Sequence, residues 1–253
     1  MKLEDSGVMN AHEWRVLMGS ARSAAEQMAC DEALARDAEP TMRCFLWDPP
    51  AISFGWKQAL PEWFDRQRWA AAGLEAVERP TGGGIAFHGS DLSLSVIAPR
   101  ALGLSLAMLI NAVCESAVRL CRAYGAEAVS PCDVRGKERV TYCLCQESPY
   151  AVVVGGRKVG GFALRRYPEA WLIQGSLLIQ PLPRALSEAM PDEVRRQLAA
   201  RAIPLSEAVS SPITASAAAA RWAESWSEWW DAVLPDQASG HKLQAAELAA
   251  CSL

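Results

Sequence analysis

The sequence predicts an α+β fold in which a mixed, mostly antiparallel sheet packs with helices. Short apolar or alternating runs bounded by proline and glycine, which are typical of strands, lie between residues 42 and 179, with helical patterns among them. After residue 190 the patterns are helical. Strands mixed with outer helices, followed by helices alone, indicate this fold class.

The first half of the chain mixes predicted strands and helices. Ser23 and Glu26 are spaced as a capping box, which predicts a helix over residues 24–36. The strand that follows this helix ends before the pair Pro49-Pro50, because proline cannot donate to a β-ladder. Strands are predicted over residues 42–47, 51–54, 75–78, 85–88 and 92–98, and helices over 64–72 and 102–124.

The second half begins with a polar, charged segment at residues 130–141, which predicts a loop. The pair Gly155-Gly156 between two strand-like runs is typical of a hairpin turn. The predicted strands are 150–154, 157–166 and 171–179, and the predicted helices are 192–202, 215–234 and a short tail helix over 243–250. On the longest of these helices one face carries four tryptophans that we expect to pack on the sheet, namely Trp222, Trp226, Trp229 and Trp230.

Composition and charge exclude several classes of protein. The 253 residues are 51% hydrophobic and 21% charged, which is typical of a globular chain rather than a disordered one. The formal net charge of −4 gives no basic footprint for nucleic acid. The longest apolar run, residues 101–114, has 14 residues and is too short to span a membrane. Because the first residues lack the apolar core of a signal peptide, we expect a cytoplasmic protein.

The chain length favours a single domain over residues 14–234, with a core at 14–180 and a helical C-terminal part at 190–250. The eight cysteines include no C-x-x-C pair and the chain has only three histidines, so no metal site is predicted. In a cytosolic protein we expect the cysteines to be reduced and mostly buried. A monomer is expected.

Three consecutive glycines follow a predicted strand in the segment Arg79-Pro-Thr-Gly-Gly-Gly84, with His88 shortly after. Such a run lets a backbone approach a ligand closely and present several N–H groups to an oxyanion or phosphate. Arg79 would add a charged anchor. The alternative interpretation is a tight flexible turn, and the glycines alone do not decide between the two.

Two further motifs carry reactive side chains. Lys158 lies on the second hairpin strand between two glycine pairs, which leaves room for a substrate carbonyl or phosphate, although most strand lysines are solvated. Cys143 and Cys145 bracket a leucine, and an extended segment would place both on one face. A thiolate is a strong nucleophile, whereas most cysteines are small buried hydrophobes.

The chain resembles the catalytic domain of the biotin/lipoate protein ligase superfamily, which includes lipoate–protein ligases and octanoyltransferases. The resemblance rests on an ordered set of motifs and covers about residues 14–180. These motifs are Arg79-Pro-Thr-Gly-Gly-Gly84 with His88, Gly156-Arg-Lys-Val159 and Gly175-Ser-Leu-Leu178, joined by Trp14-Arg15, Met28-Ala-Cys-Asp-Glu-Ala-Leu34, Trp47-Asp-Pro-Pro50 and Ser53-Phe-Gly-Trp-Lys-Gln58.

The resemblance implies one of two chemistries. Ligases activate a free acid with ATP and Mg and pass the acyl group to a lysine. Octanoyltransferases take octanoate from acyl carrier protein, hold it on a cysteine and pass it to a lysine of a lipoyl domain, such as that of glycine cleavage H protein, without a cofactor. A third interpretation is a non-catalytic lipoyl-domain or acyl-binding protein on the same fold.

Three features favour the octanoyltransferase. Cys145, four residues before Pro149, resembles the nucleophile position of the cysteine-containing octanoyltransferase family. The tail from Arg201 to Val209 with its following helices is similar to that family. The chain also leaves no room for the accessory domain of many ligases.

The resemblance assigns Cys145 and Lys158 as catalytic residues, with Cys143 structural. It assigns ten residues to substrate binding, namely Arg79, Thr81, Gly82, Gly83, Gly84, His88, Gly160, Gly161, Phe162 and Ala163. The chain departs from the family in having Phe162-Ala-Leu164 where Ser-Ala-Gln is usual and Gln174 where histidine is common. His88 is followed by Gly-Ser-Asp91 rather than directly by an acidic residue. We expect Phe162, Leu164 and Gln174 to line the acyl pocket.

Overall fold

A computed structural model describes residues 14–131, 141–146, 148–233 and 244–247. Its strands are β1 (Arg15–Met18), β2 (Thr41–Phe45), β3 (Ala51–Phe54), β4 (Glu75–Glu78), β5 (Ala86–His88), β6 (Asp91–Pro99), β7 (Ala128–Val129), β8 (Ala151–Val154), β9 (Arg157–Arg166), β10 (Ala170–Leu178) and β11 (Gln244–Glu247). Its α-helices are α1 (Ala24–Asp37), α2 (Arg66–Ala71), α3 (Leu106–Ala123), α4 (Arg184–Ala189), α5 (Asp192–Arg201), α6 (Leu205–Ala208) and α7 (Ala215–Val233).

Two sheets organise the fold. The large sheet has eight strands in the order β11-β1-β2-β6-β10-β9-β8-β7, and the small sheet has the order β4-β3-β5. In the large sheet only the pairings of β1 with β11 and β2 are parallel. The predicted mixed, mostly antiparallel α+β architecture is therefore confirmed.

Alternate residues of β10 face opposite sides of the large sheet, as expected for a strand. Leu172 packs into the apolar cluster that contains Leu34 of α1. Its neighbour Ile173 packs into the main core cluster with α3 and α7. The helix α1 therefore covers one face of the sheet, while α3 and α7 cover the other.

Local sequence signals explain the ends of α1. The Ser23 hydroxyl accepts a hydrogen bond from the Glu26 backbone, while the Glu26 carboxylate accepts one from the Ser23 backbone, as the capping box predicts. The helix ends at Ala38, which adopts a left-handed conformation with φ of 54°. This rigid cap holds the buried residues of α1 against the sheet.

The tryptophan face on α7 packs as predicted where its side chains are described. Trp222 and Trp226 are fully buried, and the Trp222 indole donates to the Ser116 hydroxyl over 2.9 Å. The side chains of Trp229 and Trp230 lie outside the described part of the structure.

One prediction of secondary structure is wrong and another is only partly covered. The described part of the tail helix expected over residues 243–250 is instead strand β11, which adds to the sheet beside β1, and the other residues of that helix lie outside the described ranges. This segment forms a strand because it pairs with β1, which is distant in the sequence. The periodicity of the segment itself does not reveal such a partner. Residues 132–140 of the predicted loop lie outside the described ranges.

Within the residues that the structure describes, no helix is both long and apolar enough to cross a bilayer. Of the six cysteines in these ranges, Cys30, Cys44, Cys114 and Cys121 are buried, whereas Cys143 and Cys145 are partly exposed.

Candidate active site

The glycine-rich loop, residues 79–84, is held in place by Arg79. Its guanidinium donates to the carbonyl oxygens of Gly82 and Gly84, both over 2.7 Å, and to the Ser53 hydroxyl over 3.2 Å. Arg79 is 7% exposed, and burial lowers its pKa while the nearby Cys143 raises it. The guanidinium remains charged in a protein, so its main contribution is to fix the loop from inside.

The same loop also has backbone N–H groups that are not used in hydrogen bonds among the described residues. In the described part of the chain, the N–H groups of Gly82, Gly83 and Gly84 donate to no acceptor. Gly83 is exposed. Its carbonyl oxygen lies so close to Gly55 that a β-carbon on Gly55 would overlap this oxygen. Consecutive free N–H groups on a fixed backbone form a concave anion site, so the loop suits a developing oxyanion.

A short parallel bridge brings Cys143 to this loop. The Ile85 backbone donates to the Thr141 carbonyl over 2.7 Å, and the Cys143 backbone donates to the Ile85 carbonyl over 2.8 Å. Because Ile85 directly follows the last loop glycine, Cys143 lies beside the end of the glycine-rich loop.

The chain turns immediately after Cys143, so the extended segment expected from the sequence is wrong. The Cys145 backbone donates to the Tyr142 carbonyl over 3.1 Å, which closes a turn. The Gln146 side-chain oxygen accepts from the Tyr142 backbone over 3.3 Å and stabilises it. Cys143 and Cys145 therefore do not share a face, and they line different cavities.

Lys158 is buried rather than solvated, with 6% of its surface exposed. Its ammonium donates to the Gln146 carbonyl and the Ser148 hydroxyl, each over 3.1 Å. A β-carbon on Gly161 would lie 3.1 Å from the Lys158 nitrogen and 3.3 Å from the Cys143 sulfur. Because Gly161 has no side chain, the Lys158 ammonium and the Cys143 thiol can both approach this residue.

The first cavity contains Cys143 and five of the ten predicted binding residues. Its wall contains both polar and apolar side chains, and the apolar side chains suit an acyl chain. The apolar wall includes Met28, Phe45, Trp47, Leu94 and Phe162, and the polar lining includes Ser53, Arg79, His88, Cys143 and Gln174, with Gly161 and Ala163 between them. Leu164, which we expected in this pocket, is not part of its lining.

Cys145 lies in a second cavity with Lys158 and Arg201. Burial raises the pKa of its thiol to about 11, and Cys143 adds to this rise, against the opposing charges of Lys158 and Arg201. At neutral pH Cys145 is therefore a neutral thiol, which is a poor nucleophile.

His88 belongs to a buried chain of hydrogen bonds at the wall of the first cavity. Its Nε2 lies 2.8 Å from the Ser53 hydroxyl and its Nδ1 lies 2.8 Å from the Asp91 carboxylate. The ring stacks on Trp47 with centroids 4.0 Å apart. Burial by itself raises the pKa of Asp91, but His88 and the hydrogen bonds from Gly89 and Ser93 outweigh it and lower the pKa. The carboxylate therefore orients the imidazole by accepting from Nδ1.

The sequence analysis did not identify Ser53 or Asp91 as members of the site. Asp91 lies only three residues after His88, and this short spacing indicates that the two side chains can pair. No local pattern reports Ser53, because it reaches His88 only through the antiparallel pairing of β3 with β5.

Thr81 and Gln174 connect the loop to α1. The Thr81 hydroxyl donates to the Gln174 side-chain oxygen over 2.8 Å, and the Gln174 amide donates to Asp31 over 2.6 Å. Asp31 forms a buried ion pair with Arg43 at 2.5 Å. Thr81 is fully buried, so its side chain anchors the loop on the large sheet.

Two other predicted binding residues have packing roles. A β-carbon on Gly160 would overlap the Ser176 carbonyl oxygen, so this glycine allows β9 and β10 to pack closely. The Phe162 ring covers Gly175 and meets Trp222 edge-on with centroids 6.3 Å apart. Phe162 lines the first cavity from this packed position.

Among the described residues, no three histidine, cysteine or acidic side chains group closely enough to hold a metal ion.

Comparison with known proteins gives matches over most of the chain. The model of the family described as "Lipoyl protein ligase A/B catalytic domain" matches residues 23–227. The octanoyltransferase LipM of Kyrpidia tusciae is 32% identical over 223 residues, which span 80% of this chain and 81% of that protein.

Solved structures share the fold at lower sequence identity. A lipoate-protein ligase A bound with ATP has a TM-score of 0.70 and 19% identity, covering 94% of this chain and 90% of that one. A bi-partite lipoate protein ligase, studied with its E2 lipoyl domain from Thermoplasma acidophilum, has a TM-score of 0.68 and 18% identity, covering 94% and 88%.

Proposed function

The chain belongs to the lipoyl protein ligase A/B catalytic domain family, and from this premise we propose how it transfers an octanoyl group in lipoate biosynthesis. It is an octanoyltransferase, because relatives named octanoyltransferase LipM match it over about four fifths of its length. The octanoyl group is carried on Cys143 between a donor and an acceptor lysine.

The observation that carries this mechanism is the approach of Cys143 and Lys158 to one point beside Gly161. Cys143 lines the cavity with an apolar wall for an acyl chain, whereas Cys145 lies outside it with a raised pKa. Two cations, Lys158 and Arg79, lie near Cys143, and positive charge stabilises the oxyanion that develops on a substrate carbonyl. We therefore propose Cys143 as the nucleophile, in place of the Cys145 favoured by the sequence.

In the first step the Cys143 sulfur attacks the carbonyl carbon of an octanoyl thioester. The new carbon–sulfur bond forms as the bond to the donor sulfur breaks, and the proton that the Cys143 thiol loses passes to the donor, which leaves as a thiol. The N–H groups of Gly82, Gly83 and Gly84 supply hydrogen bonds for the charge that develops on the carbonyl oxygen. The product is a thioester on Cys143.

In the second step the amine of an acceptor lysine attacks this thioester. A carbon–nitrogen bond forms as the bond between the acyl carbon and the Cys143 sulfur breaks, and the proton lost by the amine passes to that sulfur, which returns to the thiol. Because both donor and intermediate are thioesters, the sequence of steps needs no ATP, no metal ion and no other cofactor.

We propose acyl carrier protein as the donor and a lipoyl domain, such as that of glycine cleavage H protein, as the acceptor. The lipoyl domain named with the Thermoplasma acidophilum enzyme supports the acceptor class. We place the reaction in the reducing cytoplasm, where the Cys143 thiol would stay reduced.

The test is to mix the protein with octanoyl-acyl carrier protein and an unmodified lipoyl domain in the absence of ATP. A gain of one octanoyl group on the lipoyl domain, measured by intact mass, is expected. Modification that requires free octanoate and ATP, with none from the thioester, would show a ligase instead. Binding of either partner without any modification would show a non-catalytic protein.

A further inference from the structure

An exposed tryptophan stands beside the glycine-rich loop. Trp56 follows β3 and is 47% exposed, which is unusual for so large an apolar side chain. Its backbone N–H donates to the Thr81 carbonyl over 2.9 Å, so the turn that carries it is attached to the loop. The position of Trp56 at the rim of the site is therefore fixed by the backbone.

Two cations flank the Trp56 ring. The Lys57 ammonium lies 4.3 Å from the ring centroid, and the Arg165 guanidinium carbon lies 4.7 Å from it. Arg165 also lies 5.2 Å from the Tyr167 ring centroid and donates to the Pro80 carbonyl over 2.9 Å. We call these four residues, Trp56, Lys57, Arg165 and Tyr167, the rim patch.

Lys57 adopts a left-handed backbone conformation with φ of 56°, which is strained for a lysine. Strained residues persist where the surrounding structure over-determines them, and they cluster at functional sites. Here the strain holds a positive charge at the surface over the Trp56 ring.

The charges of the rim patch are not neutralised within the described residues. Neither Lys57 nor Arg165 forms an ion pair with a described carboxylate, whereas Arg119 and Arg184 on helices pair with Glu115 and Glu188. The protein as a whole carries a net charge of −4. A positive patch on an acidic protein favours an acidic surface on a partner.

The rim patch adjoins the first cavity. Ala163 lines that cavity, and Arg165, two residues further along β9, faces the same side of the strand. A β-carbon on Gly83 would lie 3.5 Å from Ala163, so the glycine-rich loop lies beside the part of β9 that lines the cavity. A protein that contacts the patch would therefore have its neighbouring side chains at the cavity.

We propose that the rim patch is the docking surface for the acceptor domain, contacting carboxylates that flank the target lysine. This inference rests on the proposed function. A lysine side chain reaches only about 6 Å from its backbone, so the body of the acceptor must lie against the rim for the amine to reach Cys143. Trp56 supplies the apolar centre of the contact and Lys57 and Arg165 supply its charge.

The test separates the two half-reactions in the full-length protein. Wild type, Trp56→Ala, Lys57→Glu and Lys57→Asn are first charged with octanoyl-acyl carrier protein, and the octanoyl-enzyme is then mixed with an unmodified lipoyl domain. Asparagine tolerates the left-handed conformation and removes only the charge. Arg119→Glu on α3, across the sheet from the site, is the matched control for net charge.

We expect normal charging for every variant and a second half-reaction at least tenfold slower for Trp56→Ala and Lys57→Glu at subsaturating acceptor. Lys57→Asn should show a smaller loss, Arg119→Glu none, and the loss in Lys57→Glu should shrink at 0.5 M salt as the charges are screened. Unchanged transfer in both Trp56→Ala and Lys57→Glu overturns the inference. Equal slowing of the charging step also overturns it, because the patch would then serve the donor or the loop.

A direct binding measurement keeps this inference separate from the proposed function. If wild type never forms an octanoyl-enzyme, the proposed function fails. The affinity for the unmodified lipoyl domain is then compared by calorimetry. Weaker binding by Lys57→Glu than by Arg119→Glu supports the docking surface, and equal binding overturns it.

Discussion

Cys143 and Lys158 approach each other across Gly161, where a β-carbon would lie 3.3 Å from the sulfur and 3.1 Å from the ammonium nitrogen. The two residues come from different parts of the chain, one from the turn after the parallel bridge and the other from β9. Their approach therefore depends on Gly161, which lies three residues after Lys158 on β9.

We predict that Gly161→Ala impairs acyl transfer while the fold survives. The added methyl group meets the flexible end of Lys158 and the Cys143 sulfur, so these two groups move apart while the backbone keeps its place. The charging rate with octanoyl-acyl carrier protein should fall about tenfold, a loss of about 1.4 kcal/mol in the activation free energy.

Gly160→Ala is the matched control for this prediction. Its methyl group would overlap the Ser176 carbonyl oxygen, so the expected effect is a loss of stability of about 1–3 kcal/mol. Thermal melts of both variants distinguish the two effects. A Gly161→Ala protein that charges at the wild-type rate would contradict the proximity of the thiol and the ammonium.

We predict that Lys158→Ala slows single-turnover acyl transfer at least a hundredfold. The ammonium lies beside Gly161, where it stabilises the developing oxyanion. Lys158→Arg should rescue poorly, because the planar guanidinium is larger and would have to fit between Gln146 and Ser148. Turnover of the alanine variant within about threefold of wild type, in a protein that melts normally, would refute this role.

We predict that Asp91→Asn destabilises the protein in a pH-dependent way. Because the folded-state pKa of Asp91 is lowered, its carboxylate contributes stability above its ordinary pKa of 3.8, and this contribution is lost as the pH falls through the folded-state value. At pH 7 the variant should be less stable by about 1.5–3 kcal/mol, the range for hydrogen bonds to a charged group.

Urea denaturation of wild type and Asp91→Asn between pH 3 and pH 7 measures this difference. The gap between the two free energies of unfolding should narrow on the acidic side. A gap that stays constant over this range would show that the Asp91 charge does not stabilise the fold through His88.

Local sequence patterns predicted the parts of the site that short-range interactions determine. The capping box of α1, the turn at Gly155-Gly156 and the glycine-rich loop each follow from a few neighbouring residues. The exposed or buried state of Lys158 does not, because it depends on the Gln146 carbonyl that folds over it.

The choice between Cys143 and Cys145 also depends on contacts that spacing cannot reveal. The alternation argument assumes an extended segment, but the parallel bridge to Ile85 ends at Cys143 and the chain turns there. Arg79 and Thr81 are predicted to bind substrate, and spacing does not reveal that their side chains also hold the loop through Ser53 and Gln174. A motif therefore locates the loop, while the fold decides which of its atoms face the cavity.

The most direct test of the central claim is the intact mass of the enzyme after incubation with octanoyl-acyl carrier protein and no acceptor. Wild type, Cys143→Ala and Cys145→Ala are compared, with folding checked by thermal melts. The predicted result is one octanoyl group on wild type and on Cys145→Ala, and none on Cys143→Ala. An octanoyl group retained by Cys143→Ala and lost only in Cys145→Ala would contradict the account and return the nucleophile to Cys145.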